Sequence, residues 1–394
     1  MKNLFKNLKN LKKFLKIDTK NIDYALLISV ILLMVFGAVM VYSASYYNAE
    51  VNYGDKFYFF KKQIVGILLG IFALILTYKI DYHKYTKFSL YILAIGVLCL
   101  VLVLIPGVGT SINGATRWIG FFGITIQASE VAKFAFIIFS ATYMAKYKDK
   151  MCTFTGFLPI VLAGGIMCLL ILLEPNMSIT ICVGILMMIM LFVGGIRIKH
   201  FIMICIPILI IVPIIIIAEP YRVDRLIAFL DPWASPRDEG FQLIQSLYSL
   251  GAGGLFGVGL FNSRQKYLFL PFSESDFIFS IIGEEFGLVG AFLLMVVFAF
   301  IIYKGIKIAL SALDRLGLYL SLGITAIIAV QVLINIAVVT GSIPPTGLPL
   351  PFISAGSSSL IVFMAGIGII LNINMQRKTL YNIKSVSIYN IKHL

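Results

Sequence analysis

Apolar residues in this chain come in long, nearly unbroken runs separated by short polar stretches. A helix needs about 20 apolar residues to cross a bilayer, whereas a half-buried strand or an amphipathic helix shows a period of about 2 or 3.6. Ten runs fit the first description, at 23–42, 60–78, 88–106, 128–145, 157–173, 177–194, 201–218, 276–303, 316–340 and 356–373. The pattern predicts an all-α polytopic membrane protein with about ten transmembrane helices. One connection is out of scale: the 57 residues from Glu219 to Ser275, between spans 7 and 8, far exceed what a helix bundle requires, and their composition argues against disorder. The chain divides into a basic amphipathic segment (1–22), a ten-span membrane domain (23–373) that includes the loop 219–275, and a basic tail (374–394).

Composition agrees. With 60% hydrophobic residues and a mean hydropathy of +0.99, no soluble core could absorb so much apolar surface. The net charge of +14 would suggest nucleic acid only if the basic residues shared a soluble face. Instead 22 of the 32 Lys and Arg fall in the tails and loops on one side of the ten spans, so the positive-inside rule makes both termini cytoplasmic. That leaves no nucleic-acid partner, places the protein in the cytoplasmic membrane, and puts the 219–275 loop outside. Of the 18 acidic residues, 13 lie outside or near the outer span ends, so the polar chemistry belongs to the outer face. The five cysteines lie in spans or inner loops, which predicts no disulfide. His83, His200 and His393 are also inside, which leaves no metal cluster outside.

Residues 1–20 carry seven lysines with Leu and Phe at helical spacing, the pattern of a helix lying on anionic membrane lipids or of a solubilising tail. Ser43, Ala44 and Ser45 imitate a signal-peptidase site, but the preceding run is too long for a signal peptide and reads as an uncleaved anchor.

The stretch LPFSESDFIFSIIGEEFGLVG, Leu270–Gly290, places Asp276 at the mouth of span 8. A carboxylate there is costly in lipid unless it faces protein or water. At about 100° per residue, Ser280, Gly283 and Gly287 share its helical face, with Glu284 beside them, a small polar face that a cavity could reach. In the loop before span 4, Gly, Asn and Trp suit a hairpin at the outer interface. Arg117 there could hold a lipid phosphate, or with Trp118 serve only as an anchor. Glu130 and Lys133 are three apart and can pair on one helix face, more readily as a structural ion pair than as chemistry. Glu174, Pro175 and Asn176 form a tight outer turn.

In the long loop, YRVDRLIAFLDPWASPRDEGFQLIQSLYSL mixes aromatics with charges, and Gln242, Gln245, Ser246 and Ser249 make a polar stripe on an interfacial helix. Five glycines from Gly251 to Gly259 allow a sharp bend or a close backbone approach. Arg264 and Lys266, shortly before Ser275 and Asp276, are the cations an anionic phosphate substrate beside a base would require. Four prolines stiffen the last outer loop, GSIPPTGLPLPFISAGSSS, whose Thr346, Ser354 and Ser358 can donate to phosphate or sugar.

With these residues in hand the chain resembles the FtsW/RodA/SpoVE (SEDS) family of peptidoglycan glycosyltransferases over all ten spans. The matching stretches are MVYSAS at 40–45, NGATRWI at 113–119, QASEVAK at 127–133, EPN at 174–176, FLDP at 229–232, SDFIFSIIGEEFG at 275–287 and PPTGLPLPFIS at 344–354. The resemblance implies polymerisation of lipid II outside the bacterial membrane, with Asp276 as the catalytic carboxylate, and a class B penicillin-binding transpeptidase as partner. It implies a role in division, elongation or sporulation. Asp276 would take the proton of the acceptor 4-hydroxyl while Arg117, Arg264 and Lys266 steady the pyrophosphate. No cofactor is required by the sequence, and a divalent cation on the pyrophosphate is left open. Two departures from the family pattern touch the site: Phe272 and Glu274 stand in LPFSESDF where members often show LPExHTDF, and SAGSSS replaces SYGGSS. The rival readings are a flippase for the same lipid-linked precursor, which would need polar groups through the full depth, and a non-catalytic division scaffold.

Overall fold

The computed structural model describes residues 21–112, 115–121 and 124–392, with side chains outside 111–115, 121–124 and 378–392. The amphipathic helix expected over residues 1–20 lies outside them. Twelve longer helices are described: α1 (Tyr24–Tyr53), α2 (Tyr58–Lys79), α3 (Tyr85–Leu104), α4 (Ala128–Lys146), α5 (Phe154–Leu173), α6 (Met177–Val193), α7 (Ile198–Ile217), α8 (Pro220–Leu230), α9 (Phe241–Gly253), α10 (Ile278–Leu310), α11 (Arg315–Val339) and α12 (Ser357–Lys392). Eight of them are long and apolar enough to cross a membrane. The 17-residue α6 is shorter, and α4 carries Glu130 and Lys133 in its first turns. Together these ten coincide with the ten expected spans, and the chain is a multi-pass membrane protein.

The helices pack as α2 on α12, α3 on α4, α5 on α6 and α10 on α11, while α11 also meets α4, α6 and α12 and so runs through the centre. By contrast α7, interrupted by Pro207 and Pro213, has no buried residue among those described. It packs only lightly, through Phe201 and Ile204, and the rest of its surface is mostly apolar, as a helix at the rim of a membrane bundle requires.

The loop before α4 is the expected hairpin extended by a strand: β1 (Gly109–Ile112), β2 (Ala115–Phe121) and β3 (Ile124–Gln127) form an antiparallel sheet in that order. Trp118 pairs with Thr110 and Gln127, so Arg117 lies on the central strand.

The 219–275 loop folds around α8 and α9. The polar stripe of α9 faces protein: Ser246 Oγ lies 2.8 Å from Ser280 Oγ, and Ser249 Oγ donates to Ser280 O (2.9 Å) and Glu284 Oε2 (3.1 Å).

Span 8 requires a correction. At 33 residues α10 would reach about 50 Å, too long for a hydrocarbon core of about 30 Å. It is broken at Gly287, whose backbone (φ 65, ψ −168) is non-helical. A Cβ at Gly287 would lie 2.4 Å from Gly257 N and 2.6 Å from Leu255, so only glycine fits. The glycine-rich segment after α9 lies along the break and takes up its backbone groups: Val258 N donates to Glu284 O (2.9 Å), Gly259 N to Glu285 O (3.0 Å), and Leu288 N to Gly254 O (2.9 Å). The piece before the break is thus a short outer helix, and the spanning part begins at Leu288. Backbone and side chains of the long loop fill the small polar face beneath Asp276 that had suggested a cavity.

Candidate active site

Asp276 stands in the turn before α10, outside the spanning helix and partly buried. Its backbone carbonyl accepts a 2.7 Å hydrogen bond from Asn335 Nδ2, which also donates to Leu348 O at 2.7 Å. The proline-rich loop 344–354 closes over the same place: a Cβ on Gly347 would come 3.1 Å from Asp276 Oδ2. Ser354 Oγ ties the segments together, accepting from Leu350 N (2.7 Å) and donating to Ser275 O (2.6 Å). Ala355 N donates to Glu274 O at 2.9 Å. The Asp276 backbone is therefore fixed between two braced segments, with its carboxylate beside Gly347.

Burial lifts the Asp276 carboxyl from 3.8 to about 7, with the Glu274 charge adding to the rise. Arg117, Arg225 and a hydrogen bond from Ser275 oppose it. Burial also raises Glu274, against hydrogen bonds from Asn48 and Ser273. The two arginines whose charges act on Asp276 stand on separate elements. Arg117, on β2, is held at Nε by Glu174 O (3.2 Å) and at a terminal nitrogen by Pro175 O. Arg225, on α8, lies over the Tyr221 ring (4.5 Å) and 3.6 Å from Glu239 Oε2. Both of these partners of Arg225 are themselves exposed.

Glu174, at the end of α5, is 1% exposed, and neither carboxylate oxygen has a hydrogen-bond partner among the described residues. Burial raises it to about 8, against the pull of Arg117. Among the described residues no three His, Cys, Asp or Glu side chains gather as a metal site would require.

Several residues singled out from sequence lie elsewhere. Lys266 is fully buried with Glu285, Nζ to Oε1 3.2 Å, and lies 5.0 Å from the Tyr46 ring centroid. It is committed to that carboxylate and does not face a phosphate. Arg264 contributes its backbone N–H to Glu284 Oε1 (2.8 Å) while its side chain is exposed. Lys133 and Glu130 are both 0% exposed and 2.7 Å apart, with Gln331 Oε1 2.9 Å from the ammonium and Ser359 Oγ 3.4 Å from Glu130 Oε2. That is the ion pair expected within one helix, here also joining α4 to α11 and α12. Thr346 Oγ1 is unpartnered among the described residues beside Gly347, Ser358 is buried at the start of α12, and Gln245 and Trp118 are half-buried. Arg225 and Asn335 were missed: one sits in a stretch of mixed aromatics and charges, the other inside an apolar run.

Taken together, the fold defines a polytopic membrane protein with a partly buried carboxylate, Asp276, at one end of its helix bundle. The chain matches the FtsW/RodA/SpoVE model, described as cell cycle proteins, over residues 24–379, and it belongs to that family. It is 41% identical over 357 residues to Stage V sporulation protein E of Bacillus subtilis (strain 168), covering 89% of this chain and 96% of the relative. It is 38% identical over 370 residues to a probable peptidoglycan glycosyltransferase FtsW of Geobacter metallireducens, covering 94% and 98%. Among solved structures, a chain reported under structural coordination of polymerization and crosslinking by a peptidoglycan synthase complex superposes with a TM-score of 0.76. It is 26% identical, covering 91% of this chain and 99% of that one.

Proposed function

We propose that this peptidoglycan glycosyltransferase polymerises lipid II on the outer face of the bacterial cytoplasmic membrane, with Asp276 as general base. Family membership and the glycosyltransferase relatives carry the activity. One observation carries the assignment of the base: an outer carboxylate raised to about 7, set opposite two arginines delivered by different elements. Asp276 takes the proton from the 4-hydroxyl of the acceptor sugar as that oxygen bonds to C1 of the donor. The C1–pyrophosphate bond breaks, and the departing charge falls to Arg117 and Arg225. A carboxyl near 7 is half ionised at neutral pH and basic enough to accept a proton, the compromise general-base catalysis requires.

The exposed Arg264 side chain supports a role as a further phosphate contact. No protein cofactor enters this reading. Likeness to a chain of a peptidoglycan synthase complex supports a class B penicillin-binding transpeptidase as partner. The distribution of Lys and Arg supports cytoplasmic termini.

Purified lipid II is given to the reconstituted protein with a cognate transpeptidase, and wild type is compared with Asp276→Asn, which removes the charge with almost no change of shape. Strands from wild type alone support the reading. Equal strands from both remove Asp276 from catalysis. Lipid II crossing the vesicle bilayer with no polymer formed moves the conclusion to the flippase.

A further inference from the structure

Two amide side chains one turn apart on α11, Gln331 and Asn335, are buried inside a mostly apolar span, at 0% and 1% exposure. A buried amide in a membrane helix costs free energy unless its hydrogen bonds are met, so its partners show what it holds. Asn335 Nδ2 donates to Asp276 O and to Leu348 O. Gln331 Nε2 donates to Pro349 O (2.9 Å), and its Oε1 accepts from Lys133 Nζ (2.9 Å). Lys133 is neutralised by Glu130, which Ser359 of α12 touches at its other oxygen.

These contacts form one continuous chain from the buried Glu130–Lys133 pair, through Gln331, to the Leu348–Pro349 backbone, and through Asn335 to the backbone of Asp276. Pro349 has no N–H, and neither its carbonyl nor that of Leu348 has a helix or strand to satisfy it. The amides of α11 take that place. Gly347, next in the same loop, walls the Asp276 carboxylate. Whatever fixes the Leu348–Pro349 peptides thus sets both the position of Asp276 and the closeness of its wall.

We infer that Gln331 and Asn335 are positioning residues for the glycosyl transfer: they fasten Asp276 and the loop beside it to the central helix, and the Glu130–Lys133 pair acts through Gln331 without touching substrate. The inference rests on Asp276 being the base. It predicts a defect in turnover more than in binding, because Arg117 and Arg225 stand on other elements.

The experiment measures kcat, KM and the pH dependence of kcat for lipid II polymerisation by Asn335→Ala, Asn335→Ser and Gln331→Met in the reconstituted protein, with Asp276→Asn as reference. Loss of the clamp is expected to lower kcat tenfold or more with KM changed less than about threefold, Asn335→Ser recovering part of the loss through its one donor. Release of Asp276 toward water should also move the acid limb of kcat to lower pH, which a loss of folded protein alone cannot do. Folded fraction is measured for each variant by size-exclusion chromatography and thermal melting, and rates are taken per folded molecule. Wild-type kcat and pH profile in both Asn335 variants, with Asp276→Asn inactive, would overturn the inference and leave the base in place. An active Asp276→Asn would remove the base itself, and with it the reason for the clamp.

Discussion

Replacing Lys266 by Met should destabilise the protein and leave substrate binding by the folded fraction unchanged. Lys266 and Glu285 are each 0% exposed and 3.2 Å apart. Glu285 Oε1 also accepts from Ser43 Oγ (2.6 Å) and Ser263 N (3.4 Å), while Oε2 has no partner among the described residues. Without the ammonium a buried carboxylate is left with two neutral donors, and breaking a buried pair in this way costs about 3–5 kcal/mol. That corresponds to roughly a 10 °C fall in melting temperature for a domain of a few hundred residues. The double variant Lys266→Met/Glu285→Gln removes both charges and should recover most of the loss, since no uncompensated charge is left buried. Melting of detergent-solubilised protein, with KM for lipid II measured on the folded fraction, decides the matter. An unchanged melting temperature in Lys266→Met, with KM raised tenfold or more, would refute the reasoning and return Lys266 to the phosphates.

Three further outcomes follow from the geometry. Arg225→Ala should lower kcat/KM for polymerisation about 10- to 100-fold, the worth of one charge-assisted contact of about 1.5–3 kcal/mol, and should shift the acid limb to higher pH because a positive charge facing Asp276 is gone. Gly287→Ala forces a side chain into the contact with Gly257 and Leu255 at positive φ, which should cost several kcal/mol, at about 1–3 each for backbone strain and overpacking, read as lost melting temperature and lost activity together. Glu174→Gln should be nearly silent in stability below about pH 4, where the carboxyl is protonated both folded and unfolded. The wild type binds the proton more tightly when folded, so it loses stability as pH rises from about 4.5 to about 8. The Gln variant lacks that decline, and paired melting curves across this range detect the difference.

Bilayer thickness made the ten spans legible, because it fixes the length of every apolar run whatever the tertiary contacts. It also concealed the break in α10. The apolar run continues across Gly287, and nothing local distinguishes a helical glycine from one pressed against Gly257, more than two dozen residues earlier. Glu130 and Lys133 were legible as a pair because both partners lie on one helix face. Lys266 was not: charge near a carboxylate in sequence suggested phosphate binding, while the fold gave it Glu285, 19 residues away. Arg225 and Asn335 acquire their meaning only from long-range contacts, and Asn335 acts on a residue 59 positions earlier. Asp276 was visible because a carboxylate beside a membrane span has few structural reasons to be there.

The central claim is that Asp276 works as a base with its carboxyl near 7. The most direct measurement is kcat for lipid II polymerisation by the reconstituted wild-type protein between pH 5 and 9, with saturating substrate at each point. Ionisation near 7 predicts a rise of about tenfold from pH 6 to pH 8, with a plateau above. A rate that stays flat from pH 5 to pH 8 would contradict it.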